Sequence, residues 1–454
     1  MGITLTQKRR RNGAGYWQSL FIALALTARH GAAAEAADLA NAGDDTWALH
    51  GQLTNITQRH NHFDSPYSGQ NSLTANGPTE ETTDATLFAG MRIAQGTELW
   101  LNAEIDQGFG LNNTVGMAAF PSGGAYKIGA DTPYLRLPRI FIRKTIGLGG
   151  KEEKVESVAN QFGGNRAANN LVLTLGKFAV VDVFDTNAYA HDPRADFLNW
   201  AVIDAGAFDY AADSWGYTYG AALEWNQDWW TLRGGFFQLS PEPNAKINKI
   251  GFDKYSVVGE FEARHAWMEH PGKIKVTAFV NRAPMGSYDD ALALAQAQGA
   301  APDTALVRHT SSRTGLVFNI EQELSSDVGF FARASASDGA KETYEFTDID
   351  RAFSAGLAIK GTPWHRPDDT VGIAAAVDQL SDPARRYFAA GGMGVLIGDG
   401  KLNYAPEEIL EAYYAMKLQS HVTLTADYQR AVNPAYNQDR GPVSLYGLRL
   451  HIDY

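Results

Sequence analysis

Ser444-Leu-Tyr-Gly-Leu-Arg-Leu-His-Ile-Asp-Tyr454 closes the chain with a strict alternation. Strand side chains repeat every second residue, so Tyr446, Leu448, Leu450, Ile452 and Tyr454 fall on one face and Gly447, Arg449, His451 and Asp453 on the other. An oily face and a wet face sustained over about ten residues suit a tilted strand crossing a bilayer, with lipid on one side and water on the other. An amphipathic strand at the end of a soluble sheet would show the same alternation over a shorter run.

The same pattern recurs upstream. In Glu98–Asp106, Leu99, Leu101, Ala103 and Ile105 oppose Glu98, Trp100, Asn102, Glu104 and Asp106. Lys273–Asn281 sets Ile274, Val276, Ala278 and Val280 against Lys273, Lys275 and Thr277. Val328–Ser337 sets Val328, Phe330, Ala332, Ala334 and Ala336 against Arg333, Ser335 and Ser337. Val422–Arg430 sets Val422, Leu424, Ala426 and Tyr428 against Thr423, Thr425, Asp427 and Gln429. Further strands are expected to begin near Trp47, Thr82, Arg139, Leu171, Gly216, Trp229, Tyr255, Arg313, Ala352, Thr370, Glu408 and Pro442. The expected fold is all-β: a transmembrane antiparallel up-and-down β-barrel of about 16 strands occupying residues 47–454.

Connection lengths orient that barrel. Tight turns at Ala94–Thr97, Asn226–Asp228, Ser325–Asp327 and Gln419–His421 alternate with long connections at 59–81, 107–138, 179–215, 283–312 and 379–407. Outer-membrane barrels combine short periplasmic turns with long outer loops in this way. The connection Gly147–Asn170 is long on the short side and breaks the rule, which leaves the register around residues 139–178 open. Trp47, Trp100, Tyr217, Tyr219, Trp225, Trp229, Trp230, Tyr413, Tyr414 and Tyr454 lie near strand ends, where interfacial aromatic girdles belong. A helix over Tyr288–Gln298, with Ser287 as N-cap, is expected inside one long loop.

Composition excludes several alternatives. The 454 residues contain no Cys, which removes disulfides and thiolate-metal sites, and the net charge of -12 argues against a nucleic-acid partner. At the N-terminus Lys8, Arg9, Arg10 and Arg11 precede the apolar run Leu20–Leu26 and the small residues Ala32, Ala33 and Ala34. This reads as a signal peptide over residues 1–34, followed by a periplasmic segment at 35–46 and export to the outer membrane. No later segment holds the 18 or so consecutive apolar residues of a spanning helix.

With the barrel argued, ordered runs across most of the mature chain resemble the carbohydrate-selective outer-membrane porins, the OprB-type family. They include Ser65-Pro-Tyr-Ser-Gly69, Thr82-Thr-Asp-Ala-Thr-Leu87, Gln107-Gly-Phe-Gly-Leu111, Pro133-Tyr-Leu-Arg-Leu-Pro138, Thr145-Ile-Gly-Leu-Gly-Gly150 and Gly176-Lys-Phe178. His191-Asp-Pro-Arg194, Phe197-Leu-Asn-Trp200, Asp209-Tyr-Ala-Ala-Asp213, Pro367-Asp-Asp-Thr370, Leu402-Asn-Tyr-Ala-Pro-Glu407 and Asp439-Arg-Gly-Pro442 extend the likeness. The final strand is also similar to the C-terminal sorting strand of outer-membrane proteins. The resemblance implies a sixteen-stranded barrel that passes small sugars by diffusion, narrowed by inward-folding loops. Its other implied partner is outer-membrane lipid; the sequence leaves the oligomeric state open, and a homotrimer is the expectation by analogy with porins of this size.

A sugar pore needs interleaved donors and acceptors that replace hydration yet release the solute. Arg139 and Arg143 share a face with Phe141, Arg136 precedes them, and Glu104, Asp106 and Lys177 stand on the flanking strands. The polar loop Asp182–Asp213, with Asp182, Asp185, Asp192, Arg194 and Trp200, is expected to fold into the pore. The bland alternatives are a solvated surface loop and an arginine row that stiffens the wall. The acids of this loop lack the spaced ligands of a Ca2+ loop, and no metal or cofactor is expected. No G-x-S-x-G, H-E-x-x-H, P-loop or dinucleotide fingerprint supports an enzyme. A general porin for ions and small solutes, or a plugged barrel serving as a surface binding module, remains the rival reading.

Overall fold

The computed structural model describes residues 45–125, 128–346 and 348–454. The expected signal peptide, and all of the following segment up to residue 44, lie outside the described residues. Sixteen strands follow in order: β1 Trp47–His60, β2 Glu80–Ala94, β3 Thr97–Gly108, β4 Ala130–Val155, β5 Gly164–Phe178, β6 Thr218–Asn226, β7 Trp230–Gln238 and β8 Tyr255–Trp267. The second half comprises β9 His270–Met285, β10 His309–Ser325, β11 Val328–Ser337, β12 Arg351–Gly361, β13 Arg366–Gln379, β14 Glu407–Gln419, β15 Val422–Val432 and β16 Val443–Asp453. Each pairs antiparallel with its sequence neighbours, and β16 pairs with β1 from Gln52↔Asp453 to His60↔Leu445, closing the barrel. Closure leaves no unpaired edge in the wall, the condition that hydrocarbon imposes on a β-structure.

The alternation sorts side chains as the sequence implied. Leu101, Ile105, Ile142, Leu175, Ile274, Phe318 and Leu448 are exposed on the outer face, whereas Asn102, Glu104, Asn319, Arg333 and Arg449 are buried within. Leu448 stands in the middle of the last strand. Leu448→Arg is therefore expected to cost about 2–4 kcal/mol of barrel stability, the range for a cation near the bilayer midplane. Urea unfolding in lipid vesicles would measure it, and the lumen-facing neighbour exchange Gly447→Ser provides the comparison.

Two expectations need correction. Gly147–Asn170 is not a long connection. Most of it is strand, because β4 runs on to Val155 and β5 starts at Gly164, paired through Val155↔Gly164. Gly149 and Gly150, both at positive φ, bend this extended hairpin where its register shifts, a conformation only glycine adopts without cost. Its tip folds back under the barrel: Phe162 packs on Trp100 with centroids 5.1 Å apart, and Arg143 donates to the Asn160 carbonyl at 2.6 Å. The aromatic girdle is also smaller than expected, since Trp100, Tyr217 and Tyr413 are buried inside, while Trp47, Trp225, Trp229 and Tyr454 remain exposed near the periplasmic rim.

The long loops emerge at the opposite end. The helix Tyr288–Gln298 forms in one of them, with Ser287 Oγ accepting from the Asp290 amide. A second helix, Asp382–Ala389, is capped by Ser381 and pairs with the first through Tyr288 and Tyr387, 4.9 Å between rings. Most of the apolar core lies inside the barrel, where the wall meets the loops folded into it.

Candidate functional site: a charged constriction in the bore

Loop 179–217 fills much of the lumen, and its sequence explains how. Polar residues alternate with an apolar series, and Phe184, Phe197, Leu198, Trp200, Val202, Ile203 and Phe208 are all buried. Phe197 packs between Phe331 and Tyr413, at 5.5 and 4.9 Å, and Trp200 stacks on Phe120 at 5.0 Å. The loop backbone, removed from bulk water, must still satisfy its polar groups. Charged wall residues do this. Arg333 donates to the carbonyls of Val202 at 2.9 Å and Ala190 at 2.8 Å, and Arg449 to those of Pro193, Ala195 and Asp196 at 2.7–2.8 Å. In return Glu411 accepts from the amides of Leu198 and Asn199, Glu260 from Asp185 and Glu321 from Ala188. Charge-assisted bonds contribute about 1.5–3 kcal/mol each, so this set fixes the loop rather than merely confining it.

The anchored loop carries Asp182 and Arg194 to the wall formed by β2, β3 and β4. Arg136 ion-pairs with both Glu104 and Asp106. Arg194 meets Asp84 and Glu104 at 3.2 Å each, so Glu104 bridges two guanidiniums. Arg139 donates to Asp182 through two of its guanidinium nitrogens, Nη2 at 2.6 Å and Nε at 2.8 Å. Arg136 and Arg139 are three apart, which strict alternation would place on opposite faces. A bulge opposite Ala103 takes up Leu137 and Pro138, registering Arg136 with Glu104 and Arg139 with Asn102. Proline, having no amide proton to donate, suits that position. Both arginines then reach Tyr217, whose ring lies 5.3 and 4.9 Å from their guanidinium carbons. Tyr217 is held in turn by Asp213, which accepts from the amides of Trp215 and Tyr217 and faces Lys177 at 3.6 Å.

The paired groups keep access to the bore: side chains of Arg136, Arg139 and Arg194 retain 13%, 13% and 22% exposure, and Asp182 retains 27%. Burial would push the Asp182 and Asp192 carboxyls up, but Arg139 beside the one and Arg194 beside the other hold both below their ordinary range. His191 lies 3.6 Å from Asp204. Burial pulls its pKa down, yet the Asp204 carboxylate outweighs this and leaves it raised.

Of the residues singled out from sequence, Glu104, Asp106, Arg136, Arg139, Asp182 and Arg194 come together, with Lys177 and Asp192 adjoining. Three lie elsewhere. Arg143 holds the periplasmic hairpin, Asp185 is fully buried against Arg333, and Trp200 is an apolar anchor at 4% exposure. Asp84 and Tyr217 belong to the cluster and were missed. The loop acids are divided among separate cations and amides, and among the described residues no three His, Cys, Asp or Glu side chains gather as a metal site.

A closed sixteen-stranded wall, a lumen loop and this guanidinium and carboxylate cluster coincide with a family match covering residues 70–454, to "Carbohydrate-selective porin, OprB family". The chain belongs to the OprB family. Among solved structures it resembles the high-pH structure of Pseudomonas putida OprB, at 15% identity over 90% of this chain and 94% of that one, with a TM-score of 0.68. The outer membrane channel DcaP of Acinetobacter baumannii matches at 10% identity over 90% and 97% of the two chains, with a TM-score of 0.51. These likenesses bear on fold alone. Porin AaxA of Chlamydia abortus is 21% identical over 288 residues, 62% of this chain and 53% of that protein. The chain thus spans about half the length of the curated relatives it matches. Family and barrel together place this OprB-family protein in the outer membrane.

Proposed function

We propose that this protein forms a water-filled channel through which small carbohydrates cross the outer membrane passively. The observation that carries the reading is the row of Arg136, Arg139 and Arg194 interleaved with Asp84, Glu104 and Asp182 where the loop meets the wall. Guanidinium forks donate to hydroxyl oxygens and carboxylates accept from hydroxyl protons, so a sugar passing between them exchanges water for equivalent partners. A bare ion meets compensated charge of both signs and gains less. Such a site binds weakly and releases, which is what conduction requires, and it calls for no cofactor or bond-breaking chemistry. Residues 1–34 serve export in this reading, 35–46 lie in the periplasm, and the working form is a homotrimer in outer-membrane lipid.

Liposome swelling tests the selectivity. Vesicles holding the protein should swell faster in isotonic glucose or maltose than in a similarly sized amide lacking hydroxyls. Equal rates for solutes of equal size would favour a general porin.

The bore should also respond to pH through His191. A raised folded pKa means that its stabilising pairing with Asp204 is complete below the ordinary histidine value near 6.5 and is lost as pH rises through the higher folded value. Above that window the lumen loses a positive charge, so reversal potentials should shift toward cations. His191→Gln should flatten this shift. Asp182 and Asp192, both depressed, keep their charges until pH falls below the usual carboxylate range.

A further inference from the structure

Beneath the loop, on the periplasmic side of Arg194, a cavity of about 850 Å³ opens between the lower ends of the strands from β10 to β16. Its roof is the loop itself, through Ala188, Tyr189 and Arg194–Asp196, and its wall includes Lys360, Asp368, Thr370 and Tyr413. Both tyrosines are seated on inward-facing glycines. A Cβ at Gly329 would lie 2.0 Å from Tyr189 Cε1, and one at Gly372 would lie 2.1 Å from Tyr413 Cε1. The wall has been cut away at two positions where these rings lie against it. Lys360 and Asp368, both exposed to water at the rim of the cavity, make no ion pair or side-chain hydrogen bond among the described residues, so a donor and an acceptor can turn to a solute there.

We infer that this cavity is a second carbohydrate subsite, which takes the next ring of a di- or oligosaccharide while the first lies at the constriction. The inference rests on the sugar-channel reading and adds the substrate's length to it. A pyranose presents an apolar ring face and a rim of hydroxyls, and matches a site with an aromatic ring on one side and separated polar groups around it. Arg194 belongs to both sites, pairing with Asp84 and Glu104 above and lining the cavity below, so the two are contiguous. The volume lies toward the upper end of the roughly 300–1,000 Å³ of ligand cavities and has room for more than one sugar ring. Tyr189 projects from the loop, with its amide bonded to Asn187 Oδ1 at 2.9 Å, and its position follows from the anchoring that builds the constriction.

The test is block of single-channel current by glucose and by maltotriose, each added on the periplasmic side, for the full chain, Tyr189→Ala, Tyr189→Phe and Gly329→Ala. Tyr189→Ala is expected to weaken maltotriose block about fivefold, the scale of one lost aromatic contact, and to leave glucose block within about twofold. Tyr189→Phe should retain block. Gly329→Ala, which displaces the ring without removing it, should reproduce the loss even if Tyr189→Ala fails to assemble. Unchanged maltotriose block in Tyr189→Ala or Gly329→Ala, with the native channel still blocked by both sugars, overturns the subsite alone. A native channel blocked by neither sugar overturns the sugar-channel reading and the subsite with it.

Discussion

Replacing residues 186–203 by a short Gly/Ser linker is expected to raise single-channel conductance several-fold and to abolish sugar block. The excised segment carries Arg194, the loop's cation at the constriction, together with the apolar anchors Phe197, Trp200 and Val202, and leaves Asp182 paired with Arg139 on the wall. What it leaves behind is charged: Glu411 and Arg449, whose present partners include carbonyls and amides of the excised segment, and Arg333, which loses the Val202 and Ala190 carbonyls but keeps Asp185. In a soluble core such groups would be stranded and the protein would unfold. In a barrel the vacated space fills with water, which satisfies them, and the strand pairings that close the wall involve no residue of the loop. The shortened protein should therefore assemble and conduct more. Failure to assemble would show that the loop is a structural plug on which the wall depends.

Arg194→Met should convert the bore to a cation-preferring one and weaken sugar block about tenfold or more. Asp84 and Glu104 would lose a shared cation, leaving only Arg136 against Glu104 and Asp106. Breaking a fully buried pair costs about 3–5 kcal/mol. The Arg194 side chain keeps 22% exposure to the bore, so the scale of a charge-assisted hydrogen bond, about 1.5–3 kcal/mol, is the better guide to a lost solute contact. That range corresponds to roughly tenfold to a hundredfold in affinity. Arg194→Lys separates charge from geometry, because an ammonium restores the sign without the planar fork. It should recover ion preference while sugar block stays weak. Reversal potentials in a salt gradient and sugar titrations of the same channels measure both effects.

The fold was legible because a barrel wall writes its two solvents into alternate residues. Leu448 and Arg449 are neighbours of opposite parity and opposite chemistry, the one exposed on the outer face and the other buried in the lumen. Arg333 and Arg449 were thus assigned to the wet face from the sequence, but nothing local says that their partners are carbonyls of a loop some 130 to 250 positions away. The register around residues 139–178 was obscured for a different reason. A bulge at Leu137 and Pro138 shifts parity between Arg136 and Arg139, and the glycine bends at Gly149 and Gly150 disguise a continuing hairpin as a loop. The candidate site was half visible. Charged residues at wall positions stand out by type and parity, whereas Trp200 does not declare its role, because an aromatic in a polar loop serves a pore lining and an anchor equally well. Tyr217, near a strand end, has the sequence position of a girdle residue for the same reason, although Asp213, four residues before it, fixes its backbone.

A sugar that crosses this barrel needs an open aqueous path that it can occupy. Recording from the purified full chain in planar bilayers, with maltose titrated into the bath, measures this most directly. The expected result is a steady ion current through single channels that maltose interrupts in a saturable way. A barrel that inserts but carries no current, or a current indifferent to sugar at any concentration, would contradict the account.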